Sequence, residues 1–314
     1  MAQDASSLHL SVVIPNYNGE ALLRDHLPSI LAQLEKGDEL IVVDDASTDH
    51  SVEMLYTEFP MVTVLRNYEN KRFGVTCNLG VQLAQNELVV LFNSDVKPLK
   101  GCLSRIREVL GSASVQNSDL FGVGCLEIDK RKRESGRGLA RFERGMMIHR
   151  RAKNQYNPHT LWLTGGSMAV RKSLWNKLGG FDPAFRPAYE EDRDLSYRAL
   201  KRGYRIQFLY DAKVLHNHAT TNKSALGQRR IQVASIKNTF LFHWKNLTDP
   251  RFIFLHLLWM PYHLLIGSFK TKGAFLEGWF WAVLQLDEVI GERMKAKGTE
   301  KRSDPQILSE FGVE

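Results

Sequence analysis

Glu87-Leu88-Val89-Val90-Leu91-Phe92-Asn93-Ser94-Asp95 is an apolar run that stops abruptly in an amide, a hydroxyl and a carboxylate. It is too short for a helix and apolar at consecutive positions, so both of its faces are covered, as in a strand inside a parallel sheet. Three earlier stretches, Leu10 to Ile14, Glu39 to Val43 and Val62 to Leu65, read in the same way as buried strands, and helical spacing fills the intervals. Strands alternating with helices imply right-handed crossovers and a mostly parallel α/β sheet with helices on both faces.

Such sheets bind ligands beyond the carboxyl ends of their strands. Those ends are polar here: Pro15-Asn16-Tyr17-Asn18-Gly19 follows the first strand, Asp44-Asp45-Ala46-Ser47-Thr48-Asp49 the second, and Asn93-Ser94-Asp95 the fourth. Asp95 stands where a carboxylate reaches a divalent cation on two phosphates, and oxygen ligands suit magnesium or manganese. The triplet equally suits a turn that opens a helix. Asp44 and Asp45 point to opposite sides, so one of them faces a ligand, such as a base imide or ribose hydroxyls. Asp49 reads as a helix N-cap.

Further along, residues 115 to 153 read as a long connection in which Gly136, Gly138 and Gly145 interrupt any helix. Trp162-Leu163-Thr164-Gly165-Gly166-Ser167 and the turn Gly179-Gly180-Phe181-Asp182-Pro183 precede a helix from Glu190 stopped at Gly203. Its first turn holds Glu190, Glu191, Asp192 and Asp194. Acids at a helix start are stabilised by the macrodipole and need no function, and Asp194 and Arg198 form an ordinary helical pair. Acids this crowded also raise one another's pKa, which prepares a general base. His216 and His218 follow a strand-like run, where one histidine would serve as a metal or phosphate contact.

The 314 residues, 43% of them hydrophobic, suffice for one large domain and a smaller appendage, divided here at 1–247 and 248–314. Residues 129–153 contain ten Lys or Arg and three acids, so they hold the entire formal charge of +7. This placement excludes a coat of positive charge for nucleic acid. It fits one basic segment beside phosphate or an acidic membrane surface, or a solvated loop without a partner. Cys77, Cys102 and Cys125 show no disulfide or zinc spacing, and no export signal is read at the N-terminus, so a cytoplasmic setting is expected.

Phe252 to Phe269 contains no Asp, Glu, Lys or Arg. It is barely long enough to span a bilayer and carries Pro261 between His256 and His263, so a spanning helix is not expected. Trp259, Tyr262, Trp279 and Trp281, with Lys270 and Lys272, suit amphipathic helices lying on a membrane, or helices buried against the catalytic domain or another subunit in a homo-oligomer.

Together, these segments resemble the family-two inverting glycosyltransferases of the GT-A fold, from about Leu8 to about Leu247, and most closely the rhamnosyltransferase-like group. The resemblance rests on the order of Val12-Val13-Ile14-Pro15-Asn16-Tyr17-Asn18, Val43 to Asp49, Asn93-Ser94-Asp95, Gly165-Gly166-Ser167, Gly179-Gly180-Phe181-Asp182 and Tyr189-Glu190-Glu191-Asp192-Arg193-Asp194-Leu195. It implies transfer of a sugar from a nucleotide diphosphate-sugar to a saccharide or lipid-linked acceptor hydroxyl, in cell-surface polysaccharide or lipid-linked glycan synthesis, peripherally on the inner membrane face. Pro15, Tyr17 and Asp45 would line the nucleoside pocket, Gly74 and Asn78 would lie beside ribose and diphosphate, and Asn93, Ser94, Gly165 and Gly166 would complete the donor site. Asp95 would hold Mg2+ or Mn2+ on the diphosphate with His216. Asp192 would be the base and Glu191 its neighbour, leaving Glu190 without a role. Asn93 stands where many relatives carry Asp, and Cys77 where relatives often have Arg. A catalytically silent nucleotide-sugar-binding module is the alternative the missing acid suggests. A nucleotidyltransferase ranks last, because Asn16 to Gly19 offers no Lys or Arg for phosphate.

Overall fold

The computed structural model describes residues 8–112, 119–216 and 227–312. The first half alternates β1 (Leu10–Asn16), α1 (Glu20–Leu31), β2 (Glu39–Asp44), α2 (Ser51–Glu58), β3 (Thr63–Arg66), α3 (Phe73–Leu83) and β4 (Leu88–Phe92). Its strands pair in parallel in the order β3-β2-β1-β4. The twofold period of a strand sorts the apolar residues onto two faces. Val12, Ile14, Val42, Val90 and Phe92 pack with Leu23 and Leu27 of α1 and Ile106 of α4 (Cys102–Ser112), whereas Val13, Val43, Val89 and Leu91 pack with Val81 of α3. Each such burial contributes roughly 1.5–3 kcal/mol. The third strand is not buried as expected: Thr63 to Arg66 are half-buried or exposed, because β3 lies at the sheet edge.

Beyond β4 come β5 (Val96–Pro98), β6 (Leu120–Ile128), β7 (Glu134–Ser135), the hairpin β8 (Gly138–Glu143) and β9 (Met146–Arg151), β10 (Ser167–Arg171), α5 (Lys172–Leu178), α6 (Glu191–Lys201) and β11 (Arg205–His216). Strand β10 runs antiparallel between β4 and β6, and β11 lies parallel to β6 and antiparallel to β5, completing a mixed α/β sheet. The expected long connection is therefore wrong: its described part contains a core strand and a two-stranded hairpin. Gly122 and Gly124 disguise the core strand. A Cβ at Gly122 would lie 2.5 Å from the Ala169 carbonyl oxygen, so close approach of β10 requires glycine there.

The C-terminal third holds α7 (Gln228–Asn246), α8 (Pro250–Lys270), α9 (Ala274–Val283), α10 (Leu286–Ala296) and α11 (Asp304–Glu310). Phe240, Leu241 and Phe242 of α7 are fully buried, and Ile307 and Phe311 share a core with Tyr197 and Leu200 of α6. Pro261 does not interrupt α8, which continues through a π-turn at His263–Gly267; the helix has 21 residues and an 18-residue window with a mean hydropathy of 1.5, so it is long and apolar enough to cross a membrane. One side of α8 is tied to the hairpin. Phe252 stacks on Phe142 at 4.1 Å, the ring of His256 bonds the Gly145 carbonyl, and Arg144 lies over Trp259 and Tyr262. The other side is bare: Phe254, Leu257, Leu258, Leu265 and Phe269 are exposed, and Leu276, Phe280 and Trp281 of α9 extend this surface.

Candidate active site

A cleft of about 680 Å³ opens where β1, β2 and β4 end, and gathers Pro15, Tyr17, Asp45, Asn93, Ser94, Asp95, Gly165, Gly166, Glu191, Asp192 and His216. The two adjacent aspartates divide their work. Asp44 is fully buried and accepts bonds from Asn16 Nδ2 and the Ser47 amide, each at 3.0 Å, so it shapes the turn. Asp45 reaches the cleft, where it accepts from Asn67 Nδ2 at 2.8 Å and from the amides of Lys71 and Arg72 at 2.8 and 2.9 Å. It thereby holds the 70–72 loop as a wall of the cleft. Asp49 is not the expected N-cap, a position His50 takes in α2, but its carboxylate accepts from the first amides of two helices, Ser51 and Glu20.

Asp95 lies at the end of β4, 3.3 Å from His216 Nε2, and Glu127 Oε1 is 2.9 Å from His216 Nδ1. Burial depresses the imidazole pKa, but hydrogen bonds to Asp95 and Glu127 overcome it and raise it to about 10. His216 is therefore a cation braced between two carboxylates. Beside it, Asn93 Oδ1 is buried without a hydrogen-bond partner, so the cleft wall offers an unspent oxygen two residues from Asp95. Hard oxygen donors of this kind fit magnesium or manganese. Among the described residues, no three His, Cys, Asp or Glu side chains form a ready-made metal cage.

At the start of α6, Asp192 accepts from the Gly165 amide through Oδ2 at 3.0 Å and from the Arg193 amide through Oδ1 at 2.8 Å. A Cβ on Gly165 would lie 3.3 Å from the Asp192 Cβ, so glycine lets the two backbones approach. The acidic crowding acts on Glu191 and Glu190. Burial first, then the Asp192 charge, pushes Glu191 well above the carboxylate range, and burial also raises Glu190. Asp194 turns away into a buried network with Arg198, Lys245 and Asn246, which together outweigh burial and keep its pKa low.

Two expected donor contacts are not among the residues lining the cleft. Asn78 spends both ends of its amide on the Phe181 backbone, at 2.7 and 2.9 Å, which fastens the Gly179-Gly180-Phe181 turn, and Gly74 packs against Phe181. Cys77 is a buried core residue whose thiol burial pushes well above its usual range. His218 lies outside the described residues. The cleft also includes Trp162, Tyr189 and Arg193, none of which the sequence singled out as a site residue, and Arg72, which the resemblance offers in place of the Arg missing at Cys77. Arg72, Tyr189 and Glu190 have φ of 71°, 76° and 74°, strain of a kind that collects at functional sites. Left-handed backbone at Arg, Tyr and Glu leaves no signal in residue type.

Comparison with known proteins shows the family and the fold. The family model "Glycosyl transferase family 2" matches residues 11–179. The chain is 24% identical over 237 residues to the N-acetylglucosaminyl-diphospho-decaprenol L-rhamnosyltransferase of Mycobacterium tuberculosis, covering 67% of this chain and 76% of that protein. Its fold is similar to that of GalNAc-T7 crystallised with UDP, GalNAc and Mn2+, at a TM-score of 0.60 and 16% identity over 79% of this chain, which spans 49% of that one. It is also similar to a mannosyltransferase from Pyrobaculum calidifontis in complex with GDP-Man and Mn2+, at a TM-score of 0.55 and 17% identity, covering 94% and 81% of the two chains. These structures share the GT-A fold.

Proposed function

Because the chain belongs to glycosyl transferase family 2, whose model matches residues 11–179, we propose that it transfers a sugar from a nucleotide diphosphate-sugar to an acceptor hydroxyl with inversion, using Asp192 as the base. The observation that carries this reading is the grip on Asp192, whose two oxygens each accept one backbone N–H at the edge of the cleft. Those donors aim the carboxylate into the cleft mouth. Asp192 takes the acceptor proton as the new bond forms on the face opposite the departing diphosphate. Glu191, kept protonated by burial, donates a hydrogen bond that orients the acceptor or its neighbour.

Pro15, Tyr17 and Asp45 would border the nucleoside, and Ser94, Gly165 and Gly166 the diphosphate and sugar. Asp95 and the unspent oxygen of Asn93 would hold a divalent cation, and His216, protonated between Asp95 and Glu127, would have to give up a proton to join them. When bound, that cation neutralises charge on the leaving diphosphate, so the leaving group needs no acid.

The acceptor in this proposal is a lipid-linked glycan, reached by a peripheral enzyme on the inner face of the membrane. Hairpin contacts from Phe252 to His263 hold α8 along the domain surface and leave the apolar row Phe254, Leu257, Leu258 and Leu265 facing outward. Arg251, Lys270 and Lys272 are exposed beside it, as acidic headgroups require. Between Pro250 and Val283 the single acid, Glu277, is already paired with Arg229, so a twofold self-association would face these cations with no partner acid.

The test is Asp192→Asn assayed with a panel of UDP-, dTDP- and GDP-sugars, with proton NMR of the product's anomeric centre. Transfer is expected to fall about 10²–10⁴-fold while donor-induced thermal stabilisation persists. Near-normal turnover in this variant, or a retained anomeric configuration, would overturn the assignment.

A further inference from the structure

Arg193 follows the base directly, and two contacts fix its guanidinium. One edge, through Nη1, bonds Glu190 Oε1, and the plane lies over the Trp162 ring with Cζ 5.0 Å from the centroid. The backbone amide is spent on Asp192. Among the described residues Nε and Nη2 make no hydrogen bond, and the side chain lines the cleft at 32% exposure. An arginine in this state is a fork with one prong anchored and the other edge open.

Its supports are buried. Glu190 is 5% exposed, and its second oxygen has no hydrogen-bond partner. Keeping such a carboxylate in the interior is costly unless it secures something, and its one strong bond is to Arg193. Trp162 is fixed from the far side, because a Cβ at Gly138 would fall 2.1 Å from the indole ring. Gly138 is paired across the hairpin with Arg151, a second cleft-lining guanidinium, which is exposed. The Trp162 ring thus joins the base-bearing helix to the basic end of the hairpin.

Resting on the glycosyl-transfer reading, we propose that Arg193 and Arg151 form an acceptor subsite for an anionic group, a phosphate or a carboxylate carried close to the reacting hydroxyl. A planar fork with a free edge matches two oxygens of either group, and stacking on Trp162 preserves its orientation. Glu190 is the positioning residue: it does not touch the acceptor but stops the fork from swinging away. The subsite lies against Asp192, so an acceptor anchored there presents its hydroxyl to the base. The charge of Arg193 also offsets repulsion between the acceptor's anion and Asp192.

Binding without turnover tests this. The full chain in EDTA, which removes cation-mediated phosphate binding, is titrated calorimetrically with inorganic phosphate, glycerol 1-phosphate, glucuronate and glucose. Phosphate or glucuronate binding, with glucose silent, is expected, and the stronger of the two names the anion. Arg193→Gln should weaken that binding at least tenfold, Arg193→Lys and Glu190→Gln by about threefold or more, and Arg24→Gln, outside the cleft, should leave it unchanged. Loss confined to Arg193 with Glu190→Gln unaltered would remove the positioning role. No anion binding by the wild type, or equal binding by Arg193→Gln and Arg193→Lys, would overturn the subsite. Because the readout needs no transfer, an inactive Asp192→Asn variant that still binds the anion would separate failure of this inference from failure of the proposed reaction.

Discussion

The Tyr197 hydroxyl donates to Asp304 Oδ1 at 2.7 Å, and this contact bolts the last described helix to the one that bears Asp192. Asp304 is fully buried and also accepts from Lys201 Nζ at 2.9 Å and from the Thr248 and Asp249 amides at 2.7 Å each. Removing its carboxylate leaves the Tyr197 hydroxyl and two amides without that acceptor, and leaves the buried Lys201 with Thr248 and Glu300 alone. Asp304→Ala is expected to cost about 3–5 kcal/mol. The melting temperature should then fall by on the order of 10 °C. A change under about 2 °C in calorimetry would show that the C-terminal helix does not brace α6.

A second expectation concerns acid. His243 Nδ1 donates to the Thr239 carbonyl at 2.6 Å and its Nε2 accepts the Met147 amide at 2.7 Å, so both nitrogens are used by a neutral ring. Burial, followed by repulsion from His256, lowers its pKa to about 3. The folded value lies below the unfolded one, so the stability is complete above about pH 6.5 and is lost as pH falls from there through about 3. At pH 5 the loss is about 2 kcal/mol from this group. Hydrogen exchange at pH 5 should show the Gly138–Arg151 hairpin opening before the sheet, with His149 and His256, both also lowered by burial, adding to the effect. Equal protection at pH 5 and pH 7.5 would contradict this.

Removing the cation is expected to abolish transfer, with Mn2+ or Mg2+ restoring it. Asp95→Asn should lower turnover by at least 10²-fold and raise the metal concentration needed for half-maximal rate. Full activity in EDTA would reject Asp95 as a ligand.

The bare apolar row is expected to bind vesicles containing phosphatidylglycerol and to prefer them to phosphatidylcholine alone. Leu257→Glu with Leu258→Glu, at positions 64% and 61% exposed, should weaken co-sedimentation at least tenfold without changing the melting temperature. A concentration-dependent dimer that the double variant abolishes, with no vesicle binding, would assign the face to self-association.

Much of this site was legible in one dimension because sheet chemistry is local. A strand buried on both faces must be apolar throughout, so β1, β2 and β4 announced themselves, and their polar ends marked where a ligand would lie. Asp192, Asp95 and Asp45 stand out from order along the chain, and they line one cleft: Asp45 and Asp95 because parallel strands deliver their ends to the same edge, Asp192 because α6 starts beside Gly165.

Packing decided the remainder. Whether Asp44 or Asp45 faces the cleft depends on which one Asn16 and Ser47 engage, and Asn78 could not be known to be spent on Phe181 from a distance of over a hundred residues. Strand β6 reads in sequence as part of a long connection, and only its packing shows that β10 approaches closely enough to require Gly122. Glu190, dismissed in sequence as a spare acid, acquires its bond to Arg193 only when a left-handed turn places it beneath the helix, with Trp162 across the guanidinium. Residue type and spacing along the chain determined the sheet and the carboxylates at its edge; long-range contacts, which spacing does not encode, decided which polar groups are spent on the fold and which face the cleft.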